Sequence, residues 1–146
     1  MKNLLLTRDI FKEGVFKRDS YKCVICGEAA RDAHHILERR LFTDGGYYLD
    51  NGASLCEMHH IMAEETTLSC DEIREKIGIK FPVIPEHFYS DLDYDKWGNI
   101  ILPTGVRIKG ELFYDESVQK ILNQGNVLNL FQKYVWRRLQ NHSQFP

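Results

Sequence analysis

Two residue pairs with metal-ligand spacing stand thirty residues apart, Cys23-x-x-Cys26 and Cys56-x-x-His59. Thiolates at that spacing can turn toward one ion, and Gly27 relieves the tight turn that follows. Together the four residues make a Cys3His set, suited to a closed, tetrahedral structural zinc. A Cys23–Cys26 disulfide is the alternative, and the lack of an export signal argues against it. Cys70 follows Ser69 at an expected helix start, where a thiol pKa can be lowered. It would also serve as a fourth zinc ligand if His59 pointed elsewhere. Between the two half-sites lies Asp32-Ala33-His34-His35-Ile36. Adjacent histidines are costly to bury without partners, so this pair points to a metal or to proton transfer. His60 directly follows His59. Helical neighbours point about 100° apart, so the two should serve different sites, His59 closing the zinc and His60 facing a second metal.

The elements that must hold these residues can be sketched from periodicity. A helix is expected over Asp9 to Arg18, with Ile10, Phe11, Val15 and Phe16 as its apolar stripe and Thr7 as its cap. Ser20 to Gly27 reads as a tight turn around the first two cysteines. Ala33–Leu37 and Tyr47–Leu55 are expected strands, separated by the turn residues Asp44-Gly45-Gly46. A helix is expected from Cys56 to Glu65, and a second over 70–77, between the capping box Ser69/Glu72 and the stop at Gly78. Beyond Pro82 and Pro85 the texture changes. Trp97-Gly98-Asn99 reads as a turn between extended arms, Val106–Phe113 as extended, and Ser117–Asn123 and Val127–Leu139 as helices.

The run Val15–Gly27, then Ala33-His34-His35-Ile36, Leu49-Asp50-Asn51-Gly52 and Leu55–His60 resembles the HNH endonucleases in order and spacing. The likeness covers about residues 8–65, and His59 stands where many members have a fourth cysteine. It implies a ββα-metal module with a structural zinc knuckle over residues 1–80; the texture beyond it reads as a C-terminal α+β appendage over 81–146, so the expected fold class is α+β. The likeness also implies that His35 is the general base and that His34 and His60 hold a catalytic divalent cation, Mg²⁺ or another such as Mn²⁺ or Ni²⁺. Asn51 would fix the hairpin and orient His35, although Asp50-Asn51-Gly52 is also an ordinary turn sequence. Strand alternation sends His34 and His35 to opposite faces, so the strand must bend or end there. Arg39 and Arg40, and Lys17 and Arg18 in the matching first segment, are candidates for backbone phosphate contacts or simply solvated cations.

Composition bounds the rest. The chain has 146 residues, 43% hydrophobic and 27% charged, with a net charge of −2, ordinary for a globular protein. No apolar run approaches the roughly 20 residues of a membrane span, nor the run of about 7–15 that a signal peptide needs. A cytoplasmic, phage- or bacterium-encoded protein is therefore expected. The charge is unevenly placed: +1 over 1–50, −6 over 51–100 and +3 over 101–146. The expected function is metal-dependent cleavage of DNA, in a phage, mobile-element or restriction setting; a non-catalytic zinc module binding nucleic acid or protein is the alternative. The appendage is the candidate source of specificity, with Lys133, Arg137 and Arg138 on a helix bearing Trp136 that reads equally as a core or dimer helix. A homodimer would cut both strands, whereas a monomer would nick.

Overall fold

Thr7 opens the first helix, its hydroxyl accepting from the Ile10 amide, and α1 runs Arg8–Arg18. Its buried face is narrower than expected: Phe11 and Val15 are enclosed, while Ile10 is 55% exposed. The computed structural model describes residues 3–132. After α1 the chain makes a knuckle, with Ser20 and Tyr21 at positive φ and the Cys23 amide bonded to the Glu28 carbonyl. Strand β1 (Asp32–His35) then pairs antiparallel with β2 (Gly52–Leu55), His35 facing Gly52 and His34 facing Ala53.

These strands are shorter than the apolar pattern suggests. Residues Leu49–Asn51 wind into a 3-10 turn, and the Asn51 side chain takes over where the ladder stops. Its Oδ1 accepts from the Leu37 amide at 3.0 Å and its Nδ2 donates to the carbonyls of Leu37 and Gly46. One buried amide thus pairs the backbone of Leu37 and Gly46 where the ladder stops. All of β2 is buried, with α1 on one face and α2 (Glu57–Glu64) on the other. Gly52 makes the first contact possible: a Cβ there would meet Val15 Cγ2 and Phe11 Cζ.

Cys56 caps α2. Helix α3 (Cys70–Ile77) has the Ser69/Glu72 capping box and ends at Gly78 in the left-handed region, φ 90°. The second half carries β3 (Asp93–Tyr94), β4 (Ile100–Ile101) and β5 (Arg107–Ile108) as an antiparallel sheet, then α4 (Glu116–Gln124). The 95–99 turn is knotted by Asp95, whose carboxylate accepts from the Trp97 and Asn99 amides and from Arg107. The helix expected from Val127 is not formed at its start. Leu128–Leu130 is a 3-10 turn and Phe131 bridges to Arg107, because Val127 and Phe131 fill the second core beside Trp97, Phe113, Val118 and Leu122. Residues 133–139 of that expected helix, with Lys133, Trp136, Arg137 and Arg138, lie outside the described residues.

Ile36, Leu37, Leu55 and Ile73 centre the first core, and Leu112 packs against both. The fold is therefore α+β, four helices and two small antiparallel sheets among the described residues. None of these helices is long and apolar enough to cross a membrane.

Candidate active site and metal centre

The knuckle and the start of α2 bring Cys23, Cys26, Cys56 and His59 into one cluster. Cys26 and Cys56 sulfurs are 3.7 Å apart, and His59 Nδ1 lies 3.7 Å from Cys23 Sγ and 3.3 Å from Cys56 Sγ. A tetrahedral zinc, with bonds of about 2.3 Å to sulfur and 2.0 Å to nitrogen, separates its ligand atoms by about 3.5–3.8 Å. The set can therefore hold a metal such as zinc, tying the end of α1 to the start of α2. Cys70 is not part of it. Its thiol is buried and donates to the Ile36 carbonyl at 3.5 Å, and burial pushes its pKa up to about 11. The lowering expected from the helix start is outweighed by desolvation.

His60, one residue on from His59, faces away from that cluster. Its ring stands edge-on to His34, centroids 5.2 Å apart, and one turn along α2 Glu64 joins them. One ligand atom from each of His34, His60 and Glu64 falls within 4.8 Å of the others. His34 is 3% exposed, and neither ring nitrogen has a hydrogen-bond partner among the described residues. Burial, then the charge of Lys96, holds its pKa well below the ordinary histidine value. A neutral, orphaned imidazole beside a second imidazole and a carboxylate suits a divalent cation. His60 Nδ1 lies 3.2 Å from Asp32 Oδ2 and its Nε2 lies 3.2 Å from Glu64 Oε1. With a cation bound, Nδ1 could donate to Asp32 while Nε2 turned from its Glu64 contact to the metal, the usual second-partner arrangement of metal-binding histidines. Burial works against ionisation of Glu64, but the His60 hydrogen bond and Lys96 hold its pKa below the usual value.

His35 ends β1 on the opposite face, stacked on Phe11 at 4.7 Å and edge-on to Tyr47 at 5.1 Å. Its ring makes no hydrogen bond among the described residues, and its Nε2 is enclosed and unpartnered. Burial, followed by the charges of Lys96 and Arg39, lowers its pKa to about 4, so the ring is neutral near pH 7. The hydrogen bonds of the Asn51 side chain go to Leu37 and Gly46, holding the chain that leaves β1. Lys96 reaches in from the second half, only 4% exposed, and donates to the His35 carbonyl at 2.8 Å. It also lies 3.6 Å from Glu38 and 3.8 Å from Glu64.

The four expected phosphate contacts separate. Arg39 lines the cleft over His35. Arg18 does not serve there: its guanidinium forks onto Asp19 and donates to the Leu49 and Gly52 carbonyls, closing α1 onto the hairpin. Arg40 is drawn to Asp115 at 2.9 Å and to Glu38, fastening the two halves together. Lys17 is exposed and outside the cleft. Glu64, Asp32 and Lys96 were not anticipated. For Glu64 a signal existed, since His60 and Glu64 are spaced i,i+4 and share a helix face. For Lys96 there was none. Compared with protein-family models, curated proteins and solved structures, the chain matches none, and its functional assignment rests on the side chains described above.

Proposed function

We propose that this chain is an HNH-type endonuclease that hydrolyses phosphodiester bonds in DNA. The observation that carries the proposal is the pairing of two unlike histidine sites at the end of one strand. His34, unpartnered and neutral, joins His60 and Glu64 as a cation site, while His35 beside it is free and neutral at the floor of a basic cleft. The order β1, β2, α2 with a Cys3His cluster at its base supports the ββα-metal reading of residues 1–80.

In this mechanism His35 is the general base. As a water oxygen bonds to phosphorus, its proton passes to the imidazole, and the bridging P–O bond opposite breaks. His34, His60 and Glu64 would hold a divalent cation, which would stabilise charge on the phosphate and the leaving oxygen. Asp32 fixes the His60 tautomer, and Asn51 fixes the backbone that carries His35. Two imidazoles and one carboxylate suit Mn²⁺ or Ni²⁺ better than Mg²⁺, which favours oxygen donors. A zinc held by the Cys3His cluster would be structural and would take no part in the reaction.

Supercoiled plasmid incubated with purified protein is the test. Nicking or linearisation is expected with Mn²⁺ or Ni²⁺, and more weakly with Mg²⁺. His35→Ala should abolish it while about one zinc per chain remains bound. Wild-type protein that holds zinc yet cuts with none of these metals would instead be a non-catalytic zinc module, and cutting that persists in His35→Ala would remove His35 as the base.

A further inference from the structure

Resting on that nuclease assignment, we propose that the DNA backbone is gripped by the cleft over His35, through Arg8 and Lys12 of α1 together with Arg31 and Arg39. The cleft, about 320 Å³, draws these four cations from three separate stretches of chain. Among the described residues its one acidic lining residue is Asp32, which is engaged with His60. The protein is net negative, so such a concentration of positive charge is local and does not follow from composition.

Among the described residues, the arginines off the cleft are occupied. Arg18, Arg40, Arg74 and Arg107 each form an ion pair with a carboxylate at 3.5 Å or less. On the cleft, Arg8, Lys12 and Arg39 have no such pair among the described residues, and Arg31 has only a solvent-exposed one with Glu57. Arg8 and Lys12 are also poorly placed for α1 itself. Arg8 stands at the first helical position, the positive end of the helix dipole. Lys12 follows at i+4, a like-charge pair on one face that works against the helix. Both flank Phe11, the ring on which His35 stacks, so the same packing that seats His35 carries these two cations to its rim. Cations held unpaired against local preference around a neutral histidine fit a row of phosphates.

Salt dependence of binding to a fluorescein-labelled 20-base-pair DNA duplex tests this, using His35→Ala protein so that the probe stays intact. Each lost phosphate contact should reduce the slope of log K against log salt by about 0.9. Arg8→Ala/Lys12→Ala is expected to lower the slope by about two and weaken binding, with zinc content and circular dichroism unchanged. Lys17→Ala/Lys22→Ala removes the same charge from residues outside the cleft and should leave the slope alone. If both double variants lower the slope equally, or neither does, or the duplex does not bind, the cleft is not the DNA surface. Plasmid cutting by protein with native His35 separates the two proposals. Cutting with an unaltered slope in the cleft variant overturns only the surface; an altered slope without cutting overturns only the nuclease.

Discussion

His35 is kept neutral by where it sits. Burial against Phe11 and Tyr47, with Lys96 and Arg39 nearby, lowers its pKa to about 4, against about 6.5 for a histidine of the unfolded chain. The unfolded state therefore binds a proton that the folded state refuses between those values. Its contribution to stability is complete above pH 6.5 and is lost progressively as pH falls to 4, at about 1.4 kcal/mol per pH unit. Urea unfolding at pH 7 and pH 5 should show His35→Gln losing roughly 2 kcal/mol less than wild type over that interval. An identical loss in both proteins would mean that His35 is not the group responsible. His34 is shifted the same way, chiefly by burial that is common to both proteins, so only the lesser influence of His35 on it enters the comparison.

At the scale of elements, the hairpin works because α1 can lie directly on it. Gly52 is opposite His35 in the ladder, and the Phe11 and Val15 side chains occupy the space a Cβ would need. Phe11 then forms the stacking surface for His35. Gly52→Ala is expected to lift α1 from β2 and to cost about 1–3 kcal/mol, as overpacked sites do. The measurement is the urea midpoint together with plasmid cutting, and a variant of unchanged stability and activity would show that α1 yields without disturbing His35. A metal held by the Cys3His cluster would act at this level too, fastening the knuckle after α1 to the N-cap of α2, the helix that carries His60 and Glu64.

Across the whole molecule, the second half completes the first. Lys96 donates to the His35 carbonyl, and Trp97 Nε1 donates to the Glu64 carbonyl at 2.8 Å. Arg40 and Asp115 close the halves again at the surface. The buried Asp95–Arg107–Asn99 network sets the turn from which Lys96 projects. Lys96→Met would leave Glu64, Glu38 and the His35 carbonyl without their shared cation. Removing one partner of a buried charge cluster costs roughly 3–5 kcal/mol, whereas Lys96→Arg keeps the charge. Urea midpoints should therefore fall sharply for Met and less for Arg; equal behaviour would show that stem packing, not charge, is what Lys96 supplies.

The Cys-x-x-Cys and Cys-x-x-His spacings, the Thr7 and Ser69 caps, the Gly78 stop and the separation of His59 from His60 are local properties, readable because helix and turn geometry relates residues only a few positions apart. The limits of the strands were not readable: an asparagine side chain standing in for ladder bonds looks, in sequence, like a turn. Nor were the fates of Arg18, Arg39 and Arg40, three exposed-looking cations of which one reaches the cleft. Glu64 and Lys96 face each other from α2 and the 95–99 turn because two cores pack together. Such proximity between distant segments leaves no periodic trace in the chain, so the tertiary structure alone decides which charges meet around the histidines.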